Sequence, residues 1–292
     1  MESGAVTPRY ERPIVPLTVF FAVIFAALLH ATWNALVKTG ASKQKSVLLL
    51  SACQSFFGLG IIAFRPPPVG EVWWWLLASG LIHCFYQLFL AYAYEQGDLS
   101  RVYPIARGTA PALVLLVSFI FAIDALDSAE FIGISILVLG IILMARGVFS
   151  SGESRKMLPF ALGAAVATMG YSLVDGLGVR VHGDAIGYVA WLMVFSGVFY
   201  SALIFALQGR EPFCWTRSDF KIGAITGVAS YGAYVIAVWA MTQAPIALVT
   251  ALRESSILFA MLIGWLIFGD KMSVGKATAG GLIILGLLIT RL

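Results

Sequence analysis

Ten runs of roughly 20 apolar residues follow one another along the chain, separated by short breaks of charge, proline and glycine. They cover about 16–38, 45–64, 72–95, 101–123, 130–149, 158–180, 185–208, 219–242, 245–268 and 273–291. A helix rises 1.5 Å per residue and needs about 20 residues to cross the hydrocarbon of a bilayer, so each run predicts a membrane-spanning helix. Polar and aromatic residues interrupt four runs at helical spacing: His30, Trp33 and Asn34; His83, Tyr86 and Gln87; Thr168, Tyr171, Ser172 and Asp175; Ser230, Tyr231 and Tyr234. Lipid penalises such stripes, so they face inward. They predict either an aqueous cavity lined by the first, third, fourth, sixth, eighth and ninth helices, or hydrogen bonds between helices worth about 0.6–2 kcal/mol each.

Composition agrees with the pattern. Sixty per cent of residues are hydrophobic and 12% charged, mean hydropathy is +0.91, and soluble domains carry about a quarter charged residues. The chain reads as an all-α, polytopic membrane protein with no loop able to hold a soluble domain. Arg9, Glu11, Arg12 and three prolines precede the first run, and no small-residue cleavage site follows it; it reads as a retained helix, with the chain beginning near Met1. Five lysines and arginines fall on the face holding the termini (Arg9, Arg12, Arg65, Arg180, Arg291) and twelve on the other. The richer face is expected to be cytoplasmic, which puts both termini outside the cytoplasm. Trp73, Trp74 and Trp75 read as an interfacial anchor. Cys53, Cys84 and Cys214 lack disulfide or zinc spacing, and no His/Cys/Glu motif or nucleotide-binding loop is present. No cofactor, metal or nucleic acid is expected.

The charged stretch Gly152-Glu153-Ser154-Arg155-Lys156 divides the runs into halves of five, 16–149 and 158–291, joined by a linker at 150–157. With an odd number of spans in each half, the second enters the membrane in the opposite sense, the inverted-repeat plan of many secondary transporters. Residues 94–145 laid ungapped over 240–291 put Arg107 on Arg253, Asp124 on Asp270 and Gly140 on Gly286, among five identities in 52 positions.

The stretch Tyr103-Pro104-Ile105-Ala106-Arg107-Gly108-Thr109-Ala110-Pro111, followed by Asp124, Gly133 and Gly140, resembles the fourth and fifth helices of an EamA domain. Its counterpart is Ala251-Leu252-Arg253-Glu254-Ser255-Ser256, then Asp270-Lys271, Gly280 and Gly286. Two such units cover essentially the whole chain, which is similar to the bacterial drug/metabolite transporter superfamily. Glutamate is usual in that family where this chain has Asp124 and Asp270. The resemblance implies a transporter of amino acids, other metabolites or toxic compounds in a bacterial inner membrane.

An arginine in hydrocarbon normally faces a bundle interior or a watery cavity. Arg107 and Arg253, flanking the midplane from opposite sides, are expected to hold the ends of an anionic or zwitterionic substrate or to latch the gates; snorkelling to the interface is the plainer alternative. Arg107 has no carboxylate near it in sequence, which makes it the candidate for holding substrate with Tyr103, His83, Tyr86, Gln87, Trp33, Asn34, Tyr171, Tyr231 and Tyr234. Arg253, with Glu254 beside it and Asp175 in the same half of the membrane, is the candidate for gating or proton coupling. Gly223 and Gly227, Gly133 and Gly140, and Gly280 and Gly286 predict close helix packing or homodimer contact. Pro104, Pro111 and Pro245 predict distortion of the fourth and ninth helices. The pattern favours a secondary active exporter of a small polar or amphipathic metabolite; a passive channel or lipid scramblase and a membrane-embedded enzyme are the alternatives.

Overall fold

The computed structural model describes residues 15–39, 43–96, 99–149, 155–269 and 272–292, and these form helices joined by turns. In chain order they are α1 (Leu17–Thr39), α2 (Lys43–Ile62), α3 (Val72–Gln96), α4 (Leu99–Ile120), α5 (Ser128–Phe149), α6 (Leu158–His182), α7 (Ala185–Gln208), α8 (Arg217–Ala240), α9 (Ile246–Arg253), α10 (Ser256–Phe268) and α11 (Val274–Ile289). Seven spans are long and apolar enough to cross a membrane, with α9 and α10 together making one of them, Ile246–Ile267. Ile105–Ile120, Ser128–Met144 and Val274–Ile289 are shorter apolar helices. The side chain of Tyr103, residues 150–154 of the linker, and Asp270 and Lys271 lie outside the described residues.

Local chemistry sets the ends of several helices. Asp127 and Glu130 exchange backbone and side-chain hydrogen bonds at the start of α5 (2.7 and 3.0 Å), and Thr216 and Asp219 form the same reciprocal cap on α8. Gly183, at φ 80°, closes α6 in the left-handed conformation that glycine adopts without cost. Asp184 then caps α7 by accepting the Ile186 amide. After α4 the left-handed position is taken by Ala122 (φ 49°), and the resulting turn brings Asp124 back towards the bundle.

Polar and apolar residues are distributed as a bilayer requires. Phe21, Phe25, Phe56, Phe119, Leu266 and Ile267 are exposed on the outside, whereas His30, Gln54, His83, Gln87, Arg107, Asp175, Arg253 and Glu254 are buried. Of the three consecutive tryptophans only Trp74 faces outward as the anchor reading expects; Trp73 packs edge-on against Trp191 at 5.1 Å.

The helix pairs that pack together repeat when the two halves are exchanged. α3 lies on α6 as α8 lies on α1, and α3 on α7 as α8 on α2; α2 with α7 and α5 with α11 map onto themselves. Close backbone approach makes the last pair possible: a Cβ on Gly133 would meet the Gly286 carbonyl at 2.7 Å, and one on Gly140 the Ala279 carbonyl at 2.9 Å. On α8, Gly223 and Gly227 pack against Leu49 and Cys53 of α2. These glycines are therefore used inside one chain, which takes them away as support for a homodimer contact.

Two expectations about helix distortion are corrected. α4 runs unbroken through Pro104 and Pro111, and Pro245 stands just ahead of α9 rather than within it. The irregularity in the ninth span falls at Glu254 and Ser255, where no proline stands. There the amides of Glu254, Ser255, Ile257 and Leu258 bond three residues back (2.9–3.1 Å), so the helix tightens to a 3₁₀ turn between α9 and α10.

Candidate functional site

Residues from α1, α2, α3, α6, α7, α8 and the end of α9 enclose a central cavity of about 60 Å³. Its wall includes His30 and Trp33, Gln54, His83, Tyr86 and Gln87, Tyr171, Ser230 and Tyr234, and Arg253. This is room for a few water molecules, well below the roughly 300–1,000 Å³ of pockets that hold metabolites, so a substrate requires the helices to part. The expected set of lining helices is corrected in two ways: α2 and α7 contribute, and α4 does not.

Aromatic rings dominate one wall. His83 stacks on Tyr171 (centroids 4.1 Å apart), while Tyr234 meets His83 edge-on at 5.4 Å and Tyr171 at 5.9 Å; Tyr86 is edge-on to Tyr171 at 5.4 Å. The Arg253 guanidinium sits over the Tyr234 ring at 5.3 Å, a cation–π contact in a desolvated setting. Opposite, the Trp33 indole donates to His30 Nδ1 at 3.3 Å. Polar pairs hold the surrounding helices together: Gln54 donates to Ser230 Oγ (2.9 Å) and Gln87 to Ser196 Oγ (3.0 Å).

Asp175, fully buried on α6, accepts hydrogen bonds from the Tyr188 hydroxyl (3.2 Å) and the Tyr234 hydroxyl. Tyr234 therefore stands between Asp175 and Arg253, with its hydroxyl on the carboxylate and its ring under the guanidinium. The link between Asp175 and Arg253 expected from the sequence runs through this phenol.

The arginines differ in a way opposite to expectation. Arg107 does have a carboxylate partner: its Nη2 lies 2.9 Å from Glu254 Oε1, and the two side chains are 2% and 1% exposed. Adjacent to Arg253 in sequence, Glu254 makes its ion pair with Arg107 instead, because successive side chains of a helical turn point in different directions. Arg253 is the arginine on the cavity wall, whereas Arg107 lies in the α4–α9 contact behind it. Asn34 donates to the His30 carbonyl of its own helix (2.8 Å), and Tyr231 to the Ile186 carbonyl (3.3 Å); neither lines the cavity. Glu254 and Asp175 also lie off its wall.

A second charged cluster lies at the end of the bundle where α6 ends and α9 begins. Arg180, at the end of α6, donates to both carboxylate oxygens of Asp124 (2.8 and 3.4 Å) and to the carbonyls of Met241 (2.9 Å) and Ala244 (3.2 Å). Asp124 Oδ2 in turn accepts the Ile246 amide at the start of α9 (2.6 Å), where the helix dipole favours an anion. This clasp joins the two halves. Sequence reading found Asp124 only as a repeated position and Arg180 only as one of the charges on the face holding the termini. Gln54 and Ser196 escaped it too, although Ser51, Gln54 and Ser55 form a polar stripe on α2 at helical spacing. No group of three metal-ligating side chains occurs among the described residues.

The sequence model of the EamA-like transporter family matches residues 17–146 and again 155–292. The chain belongs to the EamA-like transporter family. One unit of this family thus occurs twice along a multi-pass membrane protein, each copy supplying one of the paired arginines. Curated proteins yield no match. A solved crystal structure, described only as that of a protein, aligns with TM-score 0.71 at 20% identity over 94% of this chain and 98% of its own. At that identity the likeness shows the fold alone.

Proposed function

We propose that this EamA-family chain is a ten-span secondary active transporter, two inverted five-helix halves at 16–149 and 158–291, that exports a small amphipathic metabolite carrying a carboxylate. An amino acid or other organic anion fits. The observation that carries this reading is Arg253: its guanidinium lines the central cavity, while the other buried arginine is already neutralised by Glu254. A substrate carboxylate would meet Arg253, its apolar body the Tyr171, Tyr86 and Tyr234 rings, and an amine the electron-rich ring faces. Arg107 then serves as a fixed brace, and His83, Gln87 and Trp33 shape the site. Proton coupling is assigned to Asp175 and Tyr234, because a change of charge on Asp175 would reach Arg253 through the phenol they share. The clasp of Arg180 and Asp124 closes the end bearing the termini, so the cavity would load from the opposite end. Charge bias makes that opposite end cytoplasmic, in a bacterial inner membrane.

The test is a ligand-stabilisation screen of purified protein against amino acids and organic acids, followed by counterflow in liposomes. Arg253→Ala is expected to abolish stabilisation by any ligand that raises the wild-type melting temperature. A ligand that stabilises wild type and Arg253→Ala equally defeats the assignment of the binding arginine, and an absence of saturable counterflow with such a ligand defeats the transporter reading.

A further inference from the structure

Asp175 is fully buried on α6 and stands off the wall of the central cavity. A proton can reach it only through the hydrogen bonds of its neighbours. Three hydroxyls face the carboxylate: Tyr188 from α7 at 3.2 Å, Tyr234 from α8, and Ser79 from α3; the Arg253 guanidinium at the end of α9 adds its charge. Among the described residues, only the Ser79 hydroxyl has a second partner able to resupply a proton, His83 Nδ1 at 3.2 Å. Ser79 and His83 stand four residues apart on α3, so the helix itself brings them together.

What each atom can do orders the protons along this chain. His83 Nδ1 also lies 3.1 Å from the Ser79 carbonyl oxygen, and a carbonyl only accepts, so Nδ1 carries the hydrogen. The Ser79 hydroxyl oxygen therefore accepts from His83, which leaves its own hydrogen for Asp175. Nε2, the other ring nitrogen, then holds a lone pair, and neither hydrogen bond of the ring uses it. The imidazole lines the cavity, stacked on Tyr171 of α6 and edge-on to Tyr86 of α3 and Tyr234 of α8, with Arg253 as the charge acting on it.

We propose that His83 and Ser79 form the proton route between the central cavity and Asp175. A proton from the cavity binds Nε2; Nδ1 gives its proton to the Ser79 oxygen, and Ser79 gives its hydroxyl proton to an Asp175 oxygen. One proton has then moved from the cavity to the carboxylate, His83 and Ser79 are still neutral, and the ring holds the opposite tautomer. Return along the same path restores the first tautomer, so the route works in both directions. It rests on the assignment of proton coupling to Asp175, and supplies the path that a buried carboxylate needs.

Time-resolved infrared spectroscopy of the purified protein after photorelease of protons tests it, with the carboxylic-acid carbonyl band that Asp175→Asn removes as the signal. In Ser79→Ala and in His83→Gln that band is expected to rise about a hundredfold more slowly than in wild type, the lower end of what a positioned proton donor contributes, while still reaching its final amplitude. Glutamine can hold a hydrogen bond in place of the imidazole but has no proton to relay. Ser55→Ala removes a hydroxyl from α2 that donates to the Met193 carbonyl at 2.8 Å, and should leave the rate unchanged. A band that rises at the wild-type rate in either Ser79→Ala or His83→Gln overturns the route and leaves Asp175 as the coupling group. If Asp175→Asn removes no carboxylic-acid band, the coupling assignment falls and the route with it.

Discussion

Glu254→Gln should destabilise the protein strongly, and adding a substitution at its partner should restore much of the loss. Arg107 and Glu254 touch at 2.9 Å with almost no exposure. Opposite charges about 4 Å apart attract by about 4 kcal/mol at an effective dielectric of 20, and removing one member of a buried pair costs about 3–5 kcal/mol because the other charge is left uncompensated. For a chain of this size about 2–4 °C of melting temperature corresponds to each kcal/mol, giving a drop of about 6–20 °C for Glu254→Gln or Arg107→Met in detergent. The double variant Arg107→Met with Glu254→Leu removes both charges and should fall within a few degrees of wild type, since apolar replacement of a buried pair is often neutral. Differential scanning fluorimetry of the four proteins gives the full cycle. Singles that melt within 2 °C of wild type, or a double that loses the sum of the two singles, would refute the reasoning.

Three further outcomes are expected. Asp175→Asn should keep substrate counterflow in liposomes while losing stimulation by an imposed proton gradient; undiminished proton-driven uptake would remove Asp175 from coupling. Arg180→Gln should raise the rate at which a membrane-impermeant maleimide labels Ala244→Cys about tenfold, in a chain with Cys53, Cys84 and Cys214 replaced, because four hydrogen bonds of the clasp depend on that guanidinium; an unchanged rate would show that the clasp does not close this end. Gly286→Leu should prevent α5 and α11 from packing, since even a Cβ there would meet the Gly133 carbonyl at 2.6 Å, and circular dichroism melts should show a loss larger than that for Gly281→Leu, whose surroundings are open.

Helix positions were readable from sequence because hydrophobic run length answers directly to bilayer thickness. The ends of α3, α6 and α7 fall within two residues of the apolar runs. Much of the cavity wall was readable for a related reason: a polar stripe on a lipid-bound helix must turn inward, and His83, Tyr86, Tyr171 and Tyr234 do. Pairing was not readable. Arg107 lies 147 residues from Glu254, and Asp124 lies 56 from Arg180, so each partnership is decided by how helices from the two halves rotate against one another. The tightening at Glu254 has no proline to announce it.

The clasp and the Arg107–Glu254 pair have a joint effect on α9. Only eight residues long and buried throughout, this helix is about 12 Å from end to end and too short to persist by itself. It is pinned at its first amide by Asp124 and at its far end by Arg107 through Glu254, and both pins belong to the same stretch of the first half. A short helix fastened at both ends to one stretch moves only with that stretch. Arg253, at the end of this helix, is thereby held at a fixed distance from Asp124 and Arg107, so the cavity's arginine belongs by sequence to the second half and by attachment to the first.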